Sequence, residues 1–259
     1  MSAAFTLWHK HMTKLRMHPE ESVGMLIQPV LWVVLFGVGM KGLVGPVMPG
    51  GEDVYIGFIV PGIMALTAMS AAIGGGLVWL NERIRGIAKE YLVAPIPRLS
   101  ILMGNALSIV TKSLVQVVVI FIIGVLMGAQ VSLDPLGWLG GLALAAGYGL
   151  GFAGIALTFA TKTNDPGAYH MVVFLLTLPL LFLSNALYPL ASLPTWMRIG
   201  AQVNPTSYVV DGMRQLVFEN SANLTGGDTL SLWLCFVVIT AFAVFGMLLA
   251  YVAFKKSIK

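Results

Sequence analysis

Three separate stretches of this chain, residues 55–80, 136–161 and 229–254, run for 26 residues each without an Asp, Glu, Lys or Arg. A bilayer core of ~30 Å needs about 20 apolar residues at a rise of 1.5 Å per residue. Each stretch meets that length. Inside hydrocarbon a segment must satisfy its own backbone hydrogen bonds, which a helix does. Composition agrees: of 259 residues, 58% are hydrophobic and only 10% are charged, against ~25% in an average soluble domain. A soluble surface with so few charges would not stay dispersed. The chain is read as an all-α polytopic membrane protein, with residues 1–259 forming a single transmembrane domain.

The apolar segments predict six transmembrane helices, at about 23–44, 55–80, 102–128, 136–160, 168–187 and 231–254. Lys41 near the end of the first and Lys112 in the third are read as snorkelling cations. The 45 residues from Pro166 to Val210 hold one charge, Arg198. One helix of that length would reach ~68 Å, so Pro189, Pro194 and Pro205 are expected to break it. The head (Lys10, Lys14, Arg16) and the tail (Lys255, Lys256, Lys259) are both basic. The positive-inside rule puts both termini in the cytoplasm, so the number of spans is even. Arg83, Arg85, Lys89, Arg98 and Lys162 then join them inside, giving eleven of the 15 basic residues. Lys41, Arg198 and Arg214 fall outside. Residues 188–228 are accordingly expected on the outer side, dipping into the bilayer as re-entrant helices. The expected location is a bacterial inner membrane.

Residues 1–22 have no apolar core of the signal-peptide kind. As a helix they would align Phe5, Trp8, Met12 and Leu15 on one face. A basic helix with such a face suits the headgroup plane, as an N-terminal interfacial helix.

Several motifs point away from other functions. Gly149, Gly151 and Gly154 match G-x-G-x-x-G literally, but inside an uncharged stretch with no acidic residue placed for a ribose. Gly147 and Gly151 read better as G-x-x-x-G, which lets a neighbouring helix approach. Gly74, Gly75 and Gly76 invite packing or a bend. No Gly-Lys dipeptide occurs, so there is no P-loop. The single Cys235 and the His9–His11 pair do not make a metal site. No Asp or Glu falls well inside a span, where ion-coupled carriers and intramembrane proteases place them. The net charge of +4 is read as topology and not as a nucleic-acid signal.

The densest internal charge cluster is Asn81–Arg98, between the second and third spans. Ile84, Ile87, Ala88, Tyr91 and Leu92 recur at helical spacing. Asn81 is expected to cap the start of a short amphipathic helix and Pro95 to stop it. Its charges are of both signs. Mixed signs suit a protein partner, where complementary charges fix register.

This loop resembles that of the ABC-2 (type V) exporter permeases, the group that includes daunorubicin-resistance and nodulation-factor export permeases. The matching residues are Glu82, Arg83, Gly86, Lys89, Glu90, Leu92, Pro95 and Arg98, continuing into Ile101–Gly104. A second block runs Phe182–Pro189 and Leu193–Trp196, and a third Asn204–Tyr208 with Asp211, Gly212 and Arg214. Asn185 departs from the Gly of many members. The resemblance implies a permease subunit that pairs with a second copy of itself and binds two ABC ATPase subunits. ATP and Mg would sit on those subunits, and this chain would hold no cofactor and catalyse nothing. Residues 82–98 would be the ATPase-coupling element, with Lys162–Gly167 a lesser contact. Phe182, Tyr188, Pro189, Trp196, Asn204, Pro205 and Tyr208 would belong to an outer gate. The cargo would be hydrophobic or amphipathic: a drug, a lipid or a lipid-linked saccharide. The competing readings are a secondary carrier or channel without an ATPase, and a membrane scaffold that transports nothing.

Overall fold

The computed structural model describes residues 3–17, 19–39, 42, 52–93, 96–190, 193–219 and 229–257. Ten helices lie among them. They are α1 (Ala3–Met17), α2 (Pro19–Gly39), α3 (Glu52–Ile84), α4 (Ile87–Val93) and α5 (Arg98–Leu126). There follow α6 (Pro135–Lys162), α7 (Pro166–Phe182), α8 (Thr195–Val203), α9 (Pro205–Val217) and α10 (Leu232–Ser257).

Three helix starts share one local device. Asp134 precedes Pro135, Asp165 precedes Pro166 and Asn204 precedes Pro205. The proline presets the first helical φ and brings no orphan N–H. The Asx side chain then accepts from the next free amides: Leu136 and Gly137, Gly167 and Ala168, and Thr206. Each cap contributes about 1 kcal/mol.

Four helices among the described residues are long and apolar enough to cross a membrane: Tyr55–Ile84, Arg98–Leu126, Pro135–Lys162 and Leu232–Lys256. They match the second, third, fourth and sixth expected spans. The first and fifth are shorter, with apolar helices at Leu26–Gly39 and Pro166–Phe182. Residues 40, 41 and 43–51, including Lys41, lie outside the described residues. The fifth, expected to reach residue 187, ends at Phe182 after 17 residues, or about 25 Å. Beyond it Ser184 Oγ donates to Leu181 O and accepts from Ala186 N, which turns the chain. Between α7 and α10, α8 and α9 have 9 and 13 residues. At ~14 and ~20 Å neither reaches across a bilayer.

α6 sits at the centre and packs on α3, α5, α9 and α10. The glycines of α6 meet α10, as their spacing suggested. Gly147 faces Ile239, Gly151 faces Phe242, and Gly154 lies on the backbone of Gly246. A Cβ at Gly154 or Gly246 would collide with main chain, so this crossing requires glycine on both helices.

The N-terminal helix also packs on protein. Its buried residues are Leu7 and His11, packed on α5. Ala4 O and the Leu7 side chain lie over Gly104, and the Trp8 indole donates to Thr111 Oγ1 at 3.0 Å. Phe5, placed on the presumed membrane face, is partly exposed beside Trp8, with ring centroids 5.0 Å apart. Protein thus covers a face rotated from the Phe5–Leu15 stripe.

Candidate functional site

The charged loop begins one turn later than its sequence suggested. Asn81 does not cap a new helix. It lies within α3, its carbonyl accepting from Arg85 N at 3.0 Å. Glu82, Arg83 and Ile84 therefore close the long helix instead of opening the short one. Gly86 makes the break with φ of +83°, a left-handed backbone that favours glycine. Its N–H donates to Arg83 O at 3.1 Å, and its carbonyl accepts from Lys89 N at 2.9 Å to start α4. Ala88 is buried, whereas Lys89 and Glu90 are exposed. Leu92 lies in α4, and Arg98 opens α5 with its side chain exposed. Pro95 falls outside the described residues.

Two clamps hold this loop. Lys10 of α1 donates to Glu82 Oε1 at 3.0 Å and to the Tyr91 hydroxyl, and lies 5.0 Å from the centre of the Tyr91 ring. One ammonium thus joins α1, the end of α3 and α4. On the other side Arg83 donates to the carbonyls of Ala160 and Thr163 and to Asn164 Oδ1. These close the last orphan carbonyls of α6 and fasten α3 to the loop before α7. Glu82 and Arg83, consecutive at the end of α3, both bind within the chain. Arg85, Lys89 and Glu90 are left exposed.

Burial acts against the Lys10 charge, but the Tyr91 hydroxyl and then Glu82 outweigh it and hold the ammonium above its ordinary value. Burial pushes the Tyr91 phenol up as well. Lys10 is therefore charged at all physiological pH. His11 behaves oppositely. Burial lowers its pKa from 6.5, Glu82 opposes this, and Lys112, Lys10 and Lys14 add to the lowering. A folded-state value below the unfolded one gives stability that is full above 6.5 and is lost as pH falls through the folded value. Acidifying from pH ~7.5 to ~5.5 is expected to lower the Tm of the wild type more than that of His11→Leu, which carries no such proton site. Equal drops in a melting series of both proteins would remove His11 from the docking of α1.

At the other end of the bundle, Asn204 connects two helix termini. Its Oδ1 accepts from Thr206 N at 2.9 Å to cap α9. Its Nδ2 donates to Leu180 O at 2.6 Å and Leu183 O at 2.7 Å, satisfying carbonyls at the end of α7. Tyr208 donates to Gln202 O at 2.6 Å, and Thr206 Oγ1 lies 2.9 Å from the Tyr148 hydroxyl on α6. Arg214, counted from sequence among the outer-loop charges, is fully buried in protein. Its guanidinium stacks 4.0 Å from the Phe58 ring and donates to Phe58 O at 3.0 Å and Asn185 O at 2.8 Å. Asp211, one turn earlier, accepts from Gln215 Nε2 and Leu230 N. Arg214 thus pins α9 to α3 and to the turn after α7.

Of the expected gate residues, the structure brings Asn204, Pro205 and Tyr208 together at the α8–α9 junction. Phe182, Tyr188 and Trp196 are exposed instead, and Pro189 lies in the turn between α7 and α8. Sequence reasoning did not single out Lys10, Tyr91 or Asn164 as partners of the loop. No local pattern marks them, since Lys10 and Glu82 are 72 residues apart. The Asn204 cap did have a signal, the Asn-Pro pair.

A family model described as ABC-2 type transporter matches residues 2–218. Over 98% of this chain and 88% of its own length, ycf38 of Cyanophora paradoxa, which carries the name of a transport permease, is 29% identical. The daunorubicin resistance ABC transporter permease protein DrrB1 of Streptomyces coeruleorubidus is 20% identical over 84% of this chain and 75% of its own. Nodulation protein J of Rhizobium leguminosarum bv. trifolii is 27% identical over 75% and 73%.

Proposed function

The chain belongs to the ABC-2 type transporter family, and from that membership we propose that it is the permease subunit of an ATP-driven exporter working with two ABC ATPase subunits and a second copy of itself. The observation that carries the reading is the double clamp on the loop. Lys10 and Arg83 make α1, the end of α3, α4 and the loop between α6 and α7 one braced unit, with Arg85, Lys89 and Glu90 exposed around it. A push delivered to α4 by an ATPase would then pass along the 33-residue α3 as a lever, without bending the loop. At its other half α3 meets the outer hairpin, where Phe58 holds Arg214. Tilting of α3 and opening of the α9 hairpin are linked through that contact.

Six spans with both termini in the cytoplasm of an inner membrane is the topology this reading adopts, with Leu26–Gly39 and Pro166–Phe182 as the first and fifth. Residues 188–190 and 193–219 then form the outer side, and residues 191, 192 and 220–228 lie outside the described residues. The cargo class is hydrophobic or amphipathic: a drug, a lipid or a lipid-linked saccharide. The support is the apolar wall of the bundle and the names carried by DrrB1 and nodulation protein J. ATP and Mg belong to the ATPase subunits.

The test is co-purification with a candidate ABC ATPase subunit from the same organism, followed by ATP hydrolysis in liposomes. A stable complex is expected, and Glu90→Lys is expected to lower its hydrolysis at least about tenfold through charge mismatch at the contact. An ATPase that neither binds nor responds to the wild type would overturn the proposal.

A further inference from the structure

Between the start of α5 and the end of α10 lies a groove of about 410 Å³, lined chiefly by Arg98, Leu99, Leu102, Tyr251, Phe254 and Lys255. Its floor is fixed. Leu102 and Phe254 are buried, Phe254 stacks on Trp79 with centroids 5.1 Å apart, and the Trp79 indole donates to Thr161 Oγ1 at 3.1 Å. Its rim is basic. Arg98 and Lys255 come from two different helices, both are exposed, and no Asp or Glu lines the groove. Among the described residues neither cation enters an ion pair, whereas Lys10 does. Farther along the two helices Leu99, Met103 and Leu107 on α5 and Leu248 and Val252 on α10 are exposed apolar side chains.

Two cations above apolar flanks match one kind of molecule. We propose that this groove binds an anionic phospholipid, its headgroup phosphate between Arg98 and Lys255 and its acyl chains along the flanking faces of α5 and α10. Basic recesses between transmembrane helices at a membrane surface take such headgroups, held by charge and by the acyl chains together. A soluble phosphate would gain only the charge and leave the flanks bare. A zwitterionic lipid would bring its own ammonium against the second cation. Arg98, which the family resemblance assigns to the ATPase contact, would on this account belong to the lipid. The site needs no ATPase, so it stands or falls apart from the exporter reading.

Native mass spectrometry of the purified full chain, titrated with phosphatidylglycerol or phosphatidylcholine, tests it. Phosphatidylglycerol is expected to bind about tenfold more tightly, and Arg98→Gln and Lys255→Gln to weaken it about fivefold each. Arg98→Lys and Lys255→Arg should bind as the wild type does, which separates lost charge from lost folding. Lys256→Gln, an exposed neighbour outside the lining, should also bind normally. Equal affinity for the two lipids would overturn the proposal. So would full binding by Arg98→Gln and Lys255→Gln, or an equal loss in Lys256→Gln. Displacement of phosphatidylglycerol by millimolar inorganic phosphate would show a soluble-anion site and overturn it too.

Discussion

Arg214→Ala is expected to destabilise the protein by about 4 kcal/mol, the largest effect of any single side chain named above. Three losses add. The carbonyl of Asn185 loses a charged donor at 2.8 Å and that of Phe58 one at 3.0 Å, and a buried acceptor left bare costs ~1–3 kcal/mol. The stacking on Phe58 disappears, worth up to ~2 kcal/mol when desolvated. A fully buried arginine also vacates volume that α3 and α9 cannot wholly close. Against these stands relief from keeping a charge out of water, which is why the net falls short of the sum. Arg214→Lys keeps the charge but cannot reach two carbonyls while lying flat on a ring, so it should recover less than half. Thermal melting in detergent reads this as a fall of about 10 °C for Ala. A melting point within ~2 °C of wild type would remove Arg214 from its place as the pin between α9 and α3.

Gly86→Pro is expected to abolish stimulation of the ATPase while leaving the chain inserted. Proline fixes φ near −65°, and residue 86 stands at +83°. The substitution also deletes the N–H that donates to Arg83 O. The turn must therefore open, and α4 can no longer hold its angle to α3. The clamp from Lys10 spans that turn, with Glu82 before it and Tyr91 after it, so one of the two bonds must break. The expected loss of coupled hydrolysis is at least about a hundredfold, with membrane content and protease resistance of the spans retained, since the effect on the barrier is one of misplaced geometry. Gly86→Ala, which pays only for the left-handed backbone, should fall between. Normal coupled hydrolysis in Gly86→Pro would show that the angle between α3 and α4 carries no force.

How legible this was varies by element. The spans with no charge for 26 residues came through within a few positions, because length and apolarity alone decide them. The short fifth helix was overextended to residue 187, since the apolar run continues through a turn made by Ser184. Apolarity tells where hydrocarbon is tolerated, not where a helix stops. The Asx-Pro pairs at 134, 165 and 204 mark true starts by local chemistry and needed no tertiary knowledge. The buried face of α1 was not legible: lipid and the flank of α5 are both apolar, so a stripe of Phe5, Trp8 and Met12 does not tell which one covers it. Least legible were the long-range polar bonds. Arg214 reads as an outer charge until Phe58, 156 residues away, comes beneath it. Glu82 and Arg83 stand in the sequence as two charges of the loop, with nothing to mark their bonds to Lys10 and Asn164. That leaves Arg85, Lys89, Glu90 and Arg98 as the members of the loop with exposed charges.

The central claim, that α4 is where an ATPase pushes, is tested most directly by a cross-link from Lys89. Cys235 is the one native cysteine and is buried, so Lys89→Cys in a Cys235→Ala background gives a single reactive position. With the full complex in native membranes, a short cross-linker with one thiol-reactive and one photoactivatable end should join residue 89 to the ATPase subunit, and the yield should change between nucleotide-free and ATP-bound states. A cross-link that never forms, in a complex that still assembles and hydrolyses ATP, would contradict the account.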